Sequence, residues 1–288
     1  MGKRIVVTGG SGKAGKWIIK HLIEHKYEVL NLDWKQPEVD ICQTRIVDLN
    51  DLGQIHSALS QYSMQDKQPV EAVIHFAAIP RPFIHTHDVT FRNNVMNTYN
   101  ILEAAANLNI PKVVLASSEA IYGYVFAEKF VAPQYLPVDE NVPLLSEDSY
   151  GLSKMVNEIT AESFHRRSGM QVISFRLGNI LEPEDYSVVR QTFVDPEKRL
   201  RNLWSYIDVR DMAAACRLAI EKDGLGAQTI ILTADDTSSD IPNEELIRRF
   251  LPELAQYAPN LPGRSTFLSN AKLKQLLGWK QQYYFMEQ

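Results

Sequence analysis

The chain has 288 residues, 45% of them hydrophobic and 23% charged, with a formal net charge of −5. That balance belongs to a globular protein large enough for a sizeable core, in one large domain or two. No basic run suits nucleic acid, and no apolar stretch approaches the ~18 residues of a membrane span, so neither is expected as a partner. Cys42 and Cys216 lie far apart in no metal-ligand pattern, so no metal is expected. Residues 1–30 carry no signal-peptide pattern, which with this cysteine usage predicts a reducing, cytoplasmic setting.

Lys3-Arg4-Ile5-Val6-Val7-Thr8 is basic and then β-branched, the pattern of a short buried strand. It runs into Gly9-Gly10-Ser11-Gly12-Lys13-Ala14-Gly15, followed by an amphipathic helix with Trp17, Ile18, Leu22 and Ile23 at helical spacing. Strand, glycine turn and helix in that order suit a dinucleotide diphosphate: the backbone comes close, and the helix N-terminus offers N–H groups and a positive dipole end. A second strand, Glu28–Leu32, ends at Asp33, placed to accept from the adenosine ribose hydroxyls and to repel a 2′-phosphate. That favours NAD, although Lys13 or Lys35 could neutralise the phosphate of NADP. Arg45–Val47 reads as a third strand, and Asp48 at its tip is either a helix cap or a partner for the adenine amino group.

A helix is expected from about Leu52 to Leu59, then a polar surface loop over Gln61–Gln68. Glu71–Phe76 is a fourth strand; Ala77 and Ala78 leave room for a flat ring or a diphosphate, and His75 reads as a core histidine. Pro80–Asp88 is a loop whose Arg81, His85 and His87 could meet substrate, and Phe91–Leu108 a long helix. Lys112–Ala116 is a fifth strand delivering Ser117-Ser118-Glu119 at its tip. Tyr150-Gly151-Leu152-Ser153-Lys154 puts a tyrosine and a lysine one helical turn apart. An ammonium group near the phenol lowers its pKa from ~10 and makes it a usable acid or base. Ser118, Tyr150 and Lys154 should converge where ligands of open parallel sheets sit.

Tyr124–Ser146 is a proline-rich surface loop over the site, and Gln171–Arg176 a sixth strand. Arg176 reads equally as a structural ion pair or as a clamp on a substrate carboxylate or phosphate. Glu182–Asn202, with Arg190, Arg199 and Arg201, should cover the substrate, one arginine being free to meet an anion. Asp208–Ile220, Glu244–Leu251 and 270–277 read as helices and Gln228–Leu232 as a returning strand. The fold class expected is α/β: a Rossmann-type doubly wound parallel sheet over residues 1–178, completed by the strand near 228–233, with 179–288 mainly a small interleaved substrate-binding domain.

In order, Thr8–Gly15, Asp33, Asp48-Leu49, His75–Ala78, Asn97–Ala105, Ser117–Gly123, Tyr150–Lys154 and Arg176–Asn179 make the chain resemble the extended short-chain dehydrogenases/reductases, in the NAD-dependent epimerase/dehydratase branch. Trp204–Asp211 extends the resemblance more weakly. It implies hydride transfer at a secondary hydroxyl of a sugar, sugar acid or nucleotide sugar, with NAD as cofactor and NADP as the alternative. Tyr150 would be the general acid/base, Lys154 the holder of the nicotinamide ribose, and Ser118 the group orienting the reacting hydroxyl. The implied cofactor-binding set is Gly9, Gly10, Ser11, Gly12, Lys13, Ala14, Gly15, Asp33, Asp48, Leu49, Phe76, Ala77, Ala78, Asn97, Ser117, Tyr150 and Lys154. The substrate set is Arg81, Ser118, Glu119, Arg176 and Asn179. Family members commonly dimerise through the helices matching 91–108 and 149–168, so a homodimer is expected.

Two departures narrow this. The family's 4,6-dehydratases follow the hydroxyl residue with Asp-Glu, where this chain has Glu119-Ala120, which disfavours dehydration. Nucleotide-sugar epimerases tend to carry an arginine for the diphosphate where Trp204 stands, so a free sugar acid or polyol-like substrate, as in the uronate dehydrogenases, becomes credible. Dehydrogenase and epimerase need the same three residues. A non-catalytic NAD(P)-binding sensor is the alternative of a different class.

Overall fold

A computed structural model describes residues 2–65 and 68–288. Its centre is a sheet that begins with β1 (Arg4–Thr8), buried at every position. Successive side chains of a strand leave on opposite faces, so Ile5 and Val7 enter one core cluster and Val6 the other. The strands β2 (Glu28–Asp33), β3 (Gln43–Ile46), β4 (Val70–His75), β5 (Lys112–Ser118) and β6 (Gln171–Leu177) follow. A short pair, β7 (Ile180–Leu181) with β8 (Ile207–Asp208), stands apart, and β9 (Ala227–Leu232) returns to the main sheet. The order is β3-β2-β1-β4-β5-β6-β9, with every pair parallel.

A parallel sheet needs both faces covered. On the Ile5/Val7 face lie α1 (Lys13–Glu24) and, from much later in the chain, α6 (Val209–Glu221) and α8 (Ala271–Leu277). On the Val6 face lie α2 (Leu52–Met64), α3 (His87–Asn107) and α4 (Ser149–Ser168), which contribute Leu59, Ile101 and Phe164. A third cluster joins Tyr122, Val138, Trp204 and Phe267 to Ile247 and Leu251, at and just beyond a helix over Asn243–Phe250. Strand order reverses between β1 and β4, so a crevice forms outside their carboxyl ends, where such sheets bind ligands. Among the described residues no helix is long and apolar enough to cross a membrane, and no cluster of His, Cys, Asp and Glu is placed to hold a metal.

Some boundaries differ from the sequence expectation. α2 runs on to Met64, so the first half of the expected Gln61–Gln68 loop is helical. Asp51 caps its start by accepting from the Gln54 N–H at 3.1 Å, and Tyr62 is buried in the sheet-facing core. Asp66 and Lys67 of that loop lie outside the described residues. α3 starts at His87 rather than Phe91, because extended Thr86 precedes it and Asp88 places a carboxylate in the first turn, where the helix dipole favours one. β5 continues through Ser118, paired to Leu177 of β6.

Candidate active site

A cavity of about 1300 Å³ runs along the carboxyl ends of the strands. Gly9, Gly12, Lys13, Ala14, Gly15, Asp33, Asp48, Leu49, Phe76, Ala77, Ala78, Asn97, Ser117, Tyr150 and Lys154 lie on its wall, as do Arg81, Ser118, Glu119 and Asn179. Of the residues expected from sequence, Gly10, Ser11 and Arg176 do not line it. The Gly10 N–H is turned inward to Asn31 Oδ1 at 2.9 Å. The Ser11 N–H goes to Asp33 Oδ2 and its hydroxyl to the Lys35 carbonyl, both at 2.9 Å.

The glycine turn is shaped by close approach. Gly9 has φ +74°, and a Cβ there would fall 2.6 Å from the Ala77 amide nitrogen, so no other residue fits between β1 and the end of β4. At Gly15 a Cβ would overlap the Gly9 carbonyl oxygen. Gly12 at the start of α1 supplies no side-chain cap, so the first-turn N–H groups have no partner from that side and face the cavity. Asp33 is buried at the tip of β2. Asn97 lines the cavity with a buried Oδ1 that has no hydrogen-bond partner. An uncapped helix N-terminus over glycines, a ribose-height carboxylate and an orphaned amide oxygen fit a dinucleotide.

Lys13 is held elsewhere: its Nζ donates to the Ile180 carbonyl at 3.1 Å and pairs with Asp185, which begins α5 (Asp185–Arg190). That pair holds Lys13 away from Asp33, while Lys35 stays on the wall over Trp34. Asp48 accepts from the Asn50 N–H at 2.9 Å, while the cap of α2 is Asp51, so Asp48 stays exposed on the wall.

At the other end, Asp148 caps α4 by accepting from the Tyr150 and Gly151 N–H groups at 2.9 and 2.8 Å. This fixes Tyr150 in the first helical turn, with Phe126 edge-on to its ring at 6.2 Å. Ser118 accepts from the Ala120 N–H at 3.1 Å, and its hydroxyl is the neighbouring side chain that favours the Tyr150 phenolate. Burial pushes the Tyr150 phenol up to about 12; the Ser118 bond opposes that, and the Asp148 and Glu119 carboxylates add to it.

The expected depression of this pKa by Lys154 is not what the geometry gives. Lys154 Nζ donates to the Ala116 carbonyl at 2.7 Å and lies 5.5 Å from the centre of the Tyr150 ring, on its face rather than at its hydroxyl. Burial draws Lys154 down to about 8, partly offset by Glu158. Ser117 and Arg176 are corrected as well. The Ser117 hydroxyl donates to Glu158 Oε1 at 2.6 Å, so that side chain is turned from the cavity. Arg176 grips the same carboxylate through Nε at 3.1 Å and Nη2 at 2.8 Å, and gives Nη1 to Tyr122 and the Glu140 carbonyl. Arg176 is therefore the structural ion pair, with no group left for substrate.

Glu119 lines the cavity beside Ser118 and is buried, and its Oε2 accepts from Ser205 at 2.6 Å. Burial pushes it up to about 8 against the pull of Ser205 and Arg199, so it is largely a neutral acid at pH 7. His75 is the core histidine expected, bonded to Thr8 at 2.7 Å and Thr98 at 3.3 Å and drawn down to about 3 by burial. Trp204 is also core, packed on Phe250 and Phe267.

Among the wall residues that sequence reasoning missed are Trp34, Phe126 and Asn202. Trp34, 77% exposed next to Asp33, could have been found as an aromatic at an acidic strand tip. Phe126 and Asn202 come from irregular segments and carry no periodic signal.

A family model described as the NAD dependent epimerase/dehydratase family matches residues 5–232. A relative from Methanocaldococcus jannaschii is 32% identical over 69% of this chain, which spans 63% of that protein's length. A uronate dehydrogenase of Pseudomonas putida is 24% identical, covering 81% of this chain and 76% of its own. A crystal structure of a UDP-galactose 4-epimerase superposes with TM-score 0.68 at 26% identity, covering 99% of this chain and 95% of that one.

Proposed function

This chain belongs to the NAD-dependent epimerase/dehydratase family, and from that premise we propose that it is an NAD-dependent enzyme transferring hydride at a secondary hydroxyl of a sugar-type substrate. The observation that carries the reading is one cavity with the uncapped glycine turn and Asp33 at one end and buried Ser118, Tyr150 and Lys154 at the other. Bound NAD supplies the hydride acceptor. The rest falls to side chains of this chain. Gly9, Gly12 and the first-turn amides of α1 bind the diphosphate, and Asp33 binds the adenosine ribose and disfavours NADP. Lys154 binds the second ribose, and Asn97 Oδ1 accepts from a donor of the cofactor. Ser118 orients the reacting hydroxyl, and Tyr150 takes its proton. A sensor that only bound the dinucleotide would have no use for a buried tyrosine against a buried serine.

Relatives include both a dehydrogenase and an epimerase, and one experiment separates the two outcomes for this chain. The purified protein is given NAD and a panel of free sugars, sugar acids and nucleotide sugars, and the near-ultraviolet absorbance of reduced nicotinamide is followed. Growth with one substrate identifies a dehydrogenase. A flat trace with an isomer of the substrate formed identifies an epimerase that returns the hydride. Neither, with NAD bound, refutes the enzyme reading.

We also propose a homodimer through α3 and α4. These neighbouring helices carry Met96, Tyr99, Leu152 and Ile159 at 40, 41, 43 and 65% exposure, an apolar surface a second copy would cover. Light scattering should give twice the chain mass, and Ile159→Asp should give monomer. A monomeric wild type overturns the assignment.

A further inference from the structure

Resting on the NAD-dependent reading, we propose that the substrate is a free monosaccharide bearing one anionic group, held by Arg81, and not a nucleotide-activated sugar. A nucleotide diphosphate needs cations or convergent N–H groups on the covering segment. The three arginines of residues 182–202 are all consumed by the protein itself. Arg190 donates to the Phe285 carbonyl at 3.2 Å and to the Gln288 main chain. Arg199 is buried and gives its Nε to Ser238 at 2.7 Å and its other nitrogens to Asn179 Oδ1 and the Ser205 carbonyl. Arg201 donates to the Ala127 carbonyl. None of the three lines the cavity.

The lysines on the wall are paired, assigned to the cofactor or placed at the adenosine end, and His85 offers an imidazole rather than a guanidinium. Lys13 is paired with Asp185, Lys154 donates to Ala116, and Lys35 stands by Trp34 at the adenosine end. Arg81 differs: it is exposed on the wall and, among the described residues, makes no hydrogen bond or ion pair. Its loop leads into α3, whose first residue meets the helix of Tyr150: His87 Nδ1 lies 3.0 Å from Ser149 Oγ, one residue before Tyr150. A guanidinium there grips one carboxylate or phosphate monoester bidentately.

The remaining polar groups suit hydroxyls. Asn202 lines the cavity with a buried Oδ1 that has no partner. Asn179 has its Oδ1 filled by Arg199 and its amide free to donate. Glu119 Oε2 is taken by Ser205, which leaves the other carboxyl oxygen facing the cavity.

The test measures kcat/KM for a hexuronic acid, a hexose 6-phosphate, the neutral hexose and the UDP-hexose, following both reduced nicotinamide and product isomer, on wild type, Arg81→Ala and Arg81→Lys. The expected result is an anionic free sugar as best substrate. Its preference over the neutral hexose should fall about 10- to 100-fold in Arg81→Ala, chiefly through KM, with partial recovery in Arg81→Lys. The two anionic arms separate carboxylate from phosphate. A UDP-hexose or neutral hexose as best substrate overturns the proposal, as does an equal loss on every substrate. NAD binding by thermal shift with no panel member used takes down the enzyme reading itself, and is told apart because no substrate is turned over rather than the wrong one.

Discussion

Tyr150→Phe is expected to lower turnover by ~10²- to 10⁴-fold while leaving NAD binding and fold intact. Phenylalanine keeps the ring that Phe126 meets edge-on and loses only the hydroxyl on which Ser118 acts. The pH profile makes the test specific. The free-protein phenol sits at about 12, above its ordinary ~10, so the base form is scarce at neutral pH. In the oxidative direction wild-type kcat/KM should therefore climb as pH rises toward 8, by up to tenfold per unit. Above about 8 the climb should flatten. There Glu119 ionises, placing a negative charge beside Tyr150, and Lys154 loses its proton. The variant should lack the slope. A Tyr150→Phe protein with more than a tenth of wild-type kcat/KM and an unchanged pH profile would remove Tyr150 from its role.

The second large effect is on stability. Arg176→Met leaves Glu158 buried and without its bidentate partner, and breaking such a pair from one side costs about 3–5 kcal/mol. Against a typical domain stability of ~5–15 kcal/mol this is a large fraction, and Tm should fall by roughly 10 °C. The double variant Arg176→Met/Glu158→Leu should recover much of the loss, because neither charge is then stranded. KM of the remaining folded enzyme should hardly move. A large rise in KM with Tm unchanged would restore the substrate-clamp role that the geometry denies to Arg176. Thermal unfolding beside steady-state kinetics decides it.

How much of this was legible in the sequence depends on the range of the physics involved. Strand, glycine turn and helix at the N-terminus are local: β-branched runs, missing side chains and helical spacing name themselves within thirty residues. The unbroken apolar run Ile5-Val6-Val7 already read as a buried strand. Tyr150 and Lys154 follow from one helical turn, and Asp33 from its place at a strand end. The extra turn of α2 through Met64 was missed because Tyr62 supplies its apolar anchor from inside a run of polar residues.

What only the tertiary structure decided is which charged groups have partners. Arg176 and Glu158 lie on different elements, as do Lys13 and Asp185, or Arg199, Asn179 and Ser238, and no spacing rule joins them. Burial then set the protonation of Glu119, Tyr150 and Lys154, because desolvation depends on what the whole fold packs around a group. The sequence by itself determined the fold, the dinucleotide motif and the three residues proposed for catalysis. Among the described residues the fold leaves the Arg81 guanidinium on the wall without a partner and consumes the arginines of the covering segment: an ion's availability is settled by neighbours brought together only when the chain is folded.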